Sequence, residues 1–267
     1  MSVQKIAQMA GVSVATVSRV LNNSDSVKPA NRQKVLAAIE ESHYQPNLLA
    51  RQLRTARSSM ILVLVSDISN PFCAEVVKGI EAQAEKNGYR ILLCNSGADI
   101  ARSRSSLQLL SGKVVEGIIT MNALSRLPEL SELIGEAPWV QCAEHDDNGQ
   151  IAYASELSFS AGRTAMQQLL ADAVRPDAVL AVSDTLAAGA MAAIQQAGLR
   201  IPQDIAVVGF DGSELADMTS PPLTTLAQPS LAMGRRACEL LLQKIALPDV
   251  PPQCVIMQGE LVVRSSS

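Results

Sequence analysis

The stretch QKIAQMAGVSVATVSRVLN, from Gln4 to Asn22, carries two short helical patterns on either side of a glycine. Gln4 to Ala10 reads as a helix with Ile6, Met9 and Ala10 as its apolar positions, and Gly11-Val12-Ser13 stops it. Ser13 is placed to cap a second helix by accepting from the free backbone N–H groups of its first turn. Val17, Val20 and Leu21 then recur at spacings of three and four, which buries that side. Ala7 and Gly11 are small where two helices joined by a tight turn would cross closely, the steric requirement of a helix-turn-helix. On the opposite side Val14, Ala15, Ser18, Arg19 and Asn22 point outward. Two exposed apolar side chains beside an arginine suit a DNA major groove better than water. There Arg19 is placed to bond a guanine edge bidentately, Val14 and Ala15 to touch thymine methyls, and Ser13, Ser18 and Asn22 to bond phosphates.

Charge sets this region apart. The 267-residue chain has a formal net charge of −4, which taken alone argues against a nucleic-acid partner. Residues 1–57, however, hold eight bases (Lys5, Arg19, Lys28, Arg32, Lys34, Arg51, Arg54, Arg57) and three acids (Asp25, Glu40, Glu41), a balance of +5 that leaves −9 for the remainder. A basic head on an acidic body favours phosphate contact by the head alone. Within the head a third helix runs from Pro29 through Val35, Leu36 and Ile39 to about Ser42. Tyr44-Gln45-Pro46-Asn47 follows, then a helix-capable stretch from Asn47 to Arg54 and a polar run to Ser59, the pattern of a hinge.

The rest alternates strand and helix. Strand patterns fall at Met60–Ser66, Arg90–Cys94, Gly117–Met121, Trp139–Ala143, Ala178–Val182 and Ile205–Gly209. Helical patterns fall between them at Phe72–Asn87, Ile100–Leu110, Leu127–Ile134 and Ala187–Gln196, and a last strand-like stretch spans Gly259–Arg264. Such alternation implies parallel sheets with helices on both faces and ligands at the carboxyl ends of strands. No GxxxxGK[ST], GxGxxG or GxSxG string occurs, so an enzyme finds little support and no cofactor is expected. The five cysteines, 73, 94, 142, 238 and 254, form no CxxC pair and read as small buried hydrophobes. His43 and His145 sit in no metal-ligand spacing, so no metal site is expected. The longest apolar run, Met60 to Val65, is far below the roughly 18 residues a membrane span needs, and no secretory signal is visible, which points to the cytoplasm.

Several strings together are specific. Ala10-Gly11-Val12-Ser13-Val14-Ala15-Thr16-Val17-Ser18-Arg19-Val20-Leu21-Asn22, Tyr44-Gln45-Pro46-Asn47 with Ala50 and Leu53, and Asp67-Ile68-Ser69-Asn70-Pro71-Phe72 come first in the chain. Ser183-Asp184-Thr185-Leu186-Ala187-Ala188-Gly189, Gly209-Phe210-Asp211 and Pro222-Leu223-Thr224-Thr225 complete the set. Through them nearly the whole chain resembles the lac repressor and gal repressor family of bacterial transcription regulators. The resemblance implies an α/β protein with a small all-α helix-turn-helix head and hinge helix, residues 1–57, and a periplasmic-binding-protein-like body, residues 58–267. The first lobe of that body would take about 58–144 and 229–247, and the second about 145–228 and 248–267. It further implies a repressor of carbohydrate or nucleoside genes that binds a two-fold double-stranded operator as a homodimer. DNA contacts would come from Ser13, Val14, Ala15, Thr16, Ser18, Arg19 and Asn22 in the head and Asn47, Ala50 and Leu53 in the hinge. A sugar or nucleoside effector would be stacked by Phe72 and touched at strand ends by Ser183, Asp211 and Gln228. The alternative, a sugar-binding receptor-like protein without DNA function, would need no basic head.

Three departures from the family pattern stand out. Between Glu144 and Ser155 only the ten residues His145 to Ala154 stand where the family would have roughly 60 more, about two βαβ units at ~30 residues each. The second lobe is therefore expected to be abridged. Phe72-Cys73 replaces the two adjacent aromatics of sugar-binding relatives, so one stacking surface is missing. Lys28 stands at the cap before Pro29 where the family favours Ser or Thr, a loss of about 1 kcal/mol.

Overall fold

In a computed structural model the described residues are 2–21, 26–44, 57–97, 99–121, 132–142 and 156–267. Two units separate, Met1–Arg57 and Ser58–Ser267. In the first, α1 (Val3–Ala10) begins after Ser2, whose side chain accepts from the Lys5 N–H, and ends at Gly11. Helices α2 (Val14–Leu21) and α3 (Pro29–Ser42) complete it. Ile6, Val17 and Val35 are fully buried at its centre, with Ala7, Ala10, Val20, Val27 and Ala38 around them.

Two expectations for this unit need correction, while the lack of a side-chain cap at Lys28 is as expected. Met9 is 43% exposed and Leu36 51% exposed, because Ala7 and Ala10 on α1 and Val35 and Ala38 on α3 take the inward positions. Gly11 is not there for close helix approach, since a Cβ at that position would meet nothing within 4 Å. Its φ of 63° is the reason for glycine: the residue ends α1 in the left-handed region, where a side chain is disfavoured. Lys28 gives α3 no side-chain cap, and Pro29 fixes the first turn instead.

The larger unit holds two sheets. The first has strand order β2-β1-β3-β4, all parallel, from β1 (Met60–Val65), β2 (Arg90–Asn95), β3 (Ile118–Thr120) and β4 (Trp139–Gln141). Ile61 to Val65 are buried on both sides, as a central parallel strand must be. Ile61, Val63 and Val65 pack with α4 (Pro71–Lys86) and α9 (Ser230–Ala246), while Leu62 and Leu64 pack with Leu107 of α5 (Ile100–Ser111). Gly79 of α4 and Gly234 of α9 let the two helices touch backbone to backbone, since a Cβ on either would collide with a main-chain carbonyl of the other.

The second sheet has order β5-β6-β7-β8, from β5 (Ala178–Leu180), β6 (Ala206–Asp211), β7 (Thr224–Ala227) and β8 (Glu260–Val262). Strand β8 runs antiparallel to β7, so this sheet is mixed rather than parallel throughout. Helix α7 (Asp184–Gln196) covers one face over Val207 and Leu223, and it starts three residues before the expected Ala187 because Ser183 caps it. Beside it lies α6 (Phe159–Ala171), which sequence patterning did not signal, locked to α7 by the close contacts of Gly162 and Gly189. A single turn, α8 (Leu215–Met218), leads into β7. The opposite face is open among the described residues: Leu180 is 71% exposed, Val182 52%, Leu261 56% and Val263 68%. Leu180 and Leu261 share that face through the register linking β5 to β6, β7 and β8.

Of the expected Leu127–Ile134 helix only residues 132–134 are described, and these are helical. The hinge stretch Asn47–Arg54 and the short replacement segment His145–Ala154 lie outside the described residues. Cys73, Cys142 and Cys238 are buried, whereas Cys254 is exposed, against the expectation that all five cysteines are core residues.

Candidate functional site

Two places gather chemistry. On the head, Val14 is 46% exposed, and Ser13, Ala15 and Arg19 are also exposed, along the outer side of α2. Thr16 and Ser18 are half-buried. The Ser13 hydroxyl accepts from the Thr16 N–H at 3.1 Å and pairs with the Thr16 hydroxyl at 2.9 Å. Both hydroxyls therefore organise the first turn of α2, leaving the turn's remaining N–H groups at the positive end of the helix dipole. This surface combines an arginine, two apolar side chains and a helix N-terminus, which can meet base edges and phosphates together. Asn22, Asn47, Ala50 and Leu53 lie outside the described residues.

The second place is at the carboxyl ends of β1 and β6. After β1, Asp67 accepts from the Ser69 N–H at 2.9 Å and from its hydroxyl, and Asn70 caps α4 by accepting from the Phe72 N–H at 2.8 Å. Phe72 itself is 8% exposed and belongs to the core between the first sheet and α4, so its ring is a packing element in this structure. Ser183 is fully buried, and its hydroxyl accepts from the Leu186 N–H at 3.2 Å as the cap of α7.

Asp184 was not singled out by the sequence, yet it is the centre of a buried network. One carboxyl oxygen accepts from the Thr225 hydroxyl at 2.6 Å. The other accepts from the Ser213 N–H at 2.7 Å and its hydroxyl at 2.8 Å. Gly209 is required beside it, because a Cβ there would collide with the Asp184 carboxyl. Asp211 follows at the end of β6 with φ 121°, a strained conformation costing of order 1–3 kcal/mol, and its side chain accepts from Gln228 Nε2 at 3.1 Å. Burial, and after it the neighbouring Asp184 carboxylate, pushes Asp211 up to about 7. Burial also pushes the Cys73 thiol of α4 up to about 12, with the Asp211 and Asp67 charges adding to it. The structure brings Asp211 and Gln228 together, and the Asp211 charge is felt at Cys73 near the start of α4. The missed signal lay in the order of the strings: 184, 211 and 225 each follow or sit in a second-sheet strand, where carboxyl-end residues converge. Among the described residues no group of three His, Cys, Asp or Glu side chains could hold a metal ion.

Comparison with known proteins bears on both places. The family of bacterial regulatory proteins, lacI family, matches residues 2–47, and the periplasmic binding protein-like domain matches residues 129–267. The ribose operon repressor of Haemophilus influenzae is 33% identical over 325 aligned positions, covering 99% of this chain and 98% of that protein. Since the chain has only 267 residues, at least 58 of those 325 positions have no counterpart in it. The HTH-type transcriptional repressor PurR of Aliivibrio fischeri is 31% identical, again covering 99% of this chain and 98% of the relative. A crystal structure of the lac repressor dimer bound to operator and the anti-inducer ONPF shares the fold with a TM-score of 0.85, at 24% identity over 100% of this chain and 98% of that one.

Proposed function

Because the chain belongs to the lacI family of bacterial regulatory proteins, a family of DNA-binding transcriptional regulators, we propose that it represses carbohydrate or nucleoside genes by binding a two-fold operator as a homodimer. The observation that carries this reading is the exposed face of α2, Val14, Ala15 and Arg19, on a head of charge +5 attached to a body of charge −9. Arg19 reads a guanine edge, Val14 and Ala15 touch thymine methyls, Ser13, Ser18 and Asn22 serve the phosphates, and Thr16 is a further DNA contact. Asn47, Ala50 and Leu53 form a hinge in which Leu53 and its symmetry mate wedge into the minor groove. The head is residues 1–57. The body is residues 58–267, with a first lobe of about 58–144 and 229–247 and an abridged second lobe of about 145–228 and 248–267. The site at the strand ends, Phe72, Ser183, Asp211 and Gln228, takes a sugar or nucleoside effector. The protein acts in the cytoplasm and not as an enzyme. Among the described residues no helix is long and apolar enough to cross a membrane.

Selection of bound DNA from a random pool tests the reading. It is expected to return a palindromic site whose affinity falls steeply with salt. Recovery of no enriched sequence, or of sites without two-fold symmetry, would refute it.

A further inference from the structure

The chain enters the body through Ser58 and Ser59, and Ser59 has a backbone conformation that serine disfavours. Its φ is 53°, in the left-handed region, so the surroundings must hold the residue there. Glu116, two residues before β3, supplies that hold. One of its carboxyl oxygens accepts from the Ser59 N–H at 2.7 Å and the other from the Tyr89 hydroxyl at 3.0 Å. The Glu116 N–H also donates to the Met60 carbonyl at 2.8 Å, so side chain and main chain of one residue grip two consecutive residues of the entering chain. From the other side the Arg90 N–H donates to the Ser59 carbonyl at 2.9 Å, and the Met60 N–H donates to the Ser58 hydroxyl at 3.3 Å.

These partners come from both neighbours of β1. Tyr89 immediately precedes β2, and its ring packs against the core of the first sheet, which braces the half-buried Glu116 carboxylate. The register of β1 with β2 begins at Met60 and with β3 at Leu62, so the Glu116 side chain acts just outside the ladder, on the residue that aims the chain. A carboxylate accepting a backbone N–H makes one of the stronger hydrogen bonds available to offset a strained backbone.

We propose that Glu116, braced by Tyr89, is a positioning residue that fixes the direction in which the chain leaves the body toward the helix-turn-helix head. A fixed exit shortens the free length of the connection and reduces the ordering that operator binding must otherwise supply. The consequence for operator binding rests on the repressor reading above, whereas the fixing of the exit does not.

Two measurements on the full chain test this. In the first, tryptic cleavage after the exposed Arg57 is timed by the appearance of a fragment beginning at Ser58, an event that needs local release of the neighbouring residues. Glu116→Ala is expected to speed this cleavage about fivefold, with a melting transition near that of the parent, and Glu116→Gln, which keeps an acceptor without the charge, to fall between the two. In the second, Glu116→Ala is expected to weaken operator binding by about tenfold while binding to random duplex changes less than about twofold. Equal cleavage rates for parent and Glu116→Ala, or equal losses on operator and random DNA, would overturn the proposal. Tyr89→Phe, which loses only a hydroxyl, gives the same comparison at about twofold if Glu116→Ala fails to fold. A parent that binds no DNA specifically would refute the repressor reading, and the cleavage rates would then decide the role of Glu116 alone.

Discussion

Replacing Asp211 with asparagine should make the protein more stable at alkaline pH. The carboxyl is 7% exposed, and burial, with the Asp184 carboxylate beside it, raises it from the ordinary 3.8 to about 7. A carboxyl raised on folding contributes stability that is fully present below the unfolded value near 3.8 and is lost as pH rises through about 7. The interval from 3.8 to about 7 corresponds to about 4 kcal/mol of penalty once the group is ionised. Asparagine keeps the size, tolerates the positive φ of 121° and still offers Gln228 Nε2 an acceptor, but carries no charge to desolvate. Asp211→Asn is therefore expected to gain about 2–4 kcal/mol over the parent at pH 8.5, and to match it within about 1 kcal/mol near pH 4. In a domain of this size each kcal/mol moves the melting temperature by about 2–4 °C, so the difference is readable by calorimetry as well as by urea unfolding. Parallel stability profiles for parent and variant from pH 4 to 8.5 would show that Asp211 is not held up in the folded state. A gain in stability together with loss of effector binding would be the trade expected of a strained functional residue.

Further outcomes follow from other residues. Arg19→Ala should relax base preference and cost about 1–3 kcal/mol, whereas Lys34→Ala should weaken binding to all sequences alike; competition between operator and random DNA separates the two, and an unchanged specificity ratio for Arg19→Ala would remove it as a base reader. Gly11→Ala should destabilise the head by about 1–2 kcal/mol through its φ of 63° alone, because the site has open space, and thermal unfolding checks this. Gly189→Ala should cost more, about 1–3 kcal/mol or above, because the new methyl collides with the Phe159 carbonyl and separates α6 from α7. Operator binding should respond little to sugars and nucleosides, since a ligand shifts a two-state equilibrium only through different contacts in the two states and the second lobe offers fewer of them; a compound that both raises the melting temperature and releases operator DNA would contradict this.

How much of this was legible in the sequence depends on the element. The helix-turn-helix was readable because Gly11, Ser13 and the three-and-four spacing of Val17, Val20 and Leu21 are local signals, and each has a local cause in the structure. Met9 and Leu36 lie outside the buried arc, whose edge spacing alone cannot place. Helix α6 is harder to read for a different reason: its stripe of Met166, Leu169 and Leu170 is short and only partly buried, and the close backbone contact with α7 at Gly162 and Gly189 adds to what holds it. The antiparallel direction of β8 follows from how the chain returns to β7, which a three-residue strand does not encode. The strand-end residues were named from resemblance one by one. Their network through Asp184, Thr225 and Ser213 joins positions up to 41 residues apart and exists only once β6, β7 and α7 are assembled.

The shortening of the chain and the survival of that network are compatible because they concern different faces of the second sheet. At least 58 aligned positions of the ribose operon repressor have no counterpart in this chain, and among the described residues one face of the second sheet is open at Leu180, Val182, Leu261 and Val263. Each aliphatic side chain left in water forgoes part of the roughly 1.5–3 kcal/mol that full burial would contribute, so this half of the body gives up several kcal/mol. The other face keeps its cover: α7 is buried along nine of its thirteen residues, and β6 retains a strand on either side. Asp184 lies at the start of that covered helix, and Thr225 and Asp211 lie on the paired strands. Their positions are therefore set by the preserved layer, so the strand-end chemistry can persist in a lobe whose stability has fallen. A thinner lobe offers a bound effector fewer contacts that differ between two states, which is why operator binding is expected to respond little to sugars and nucleosides.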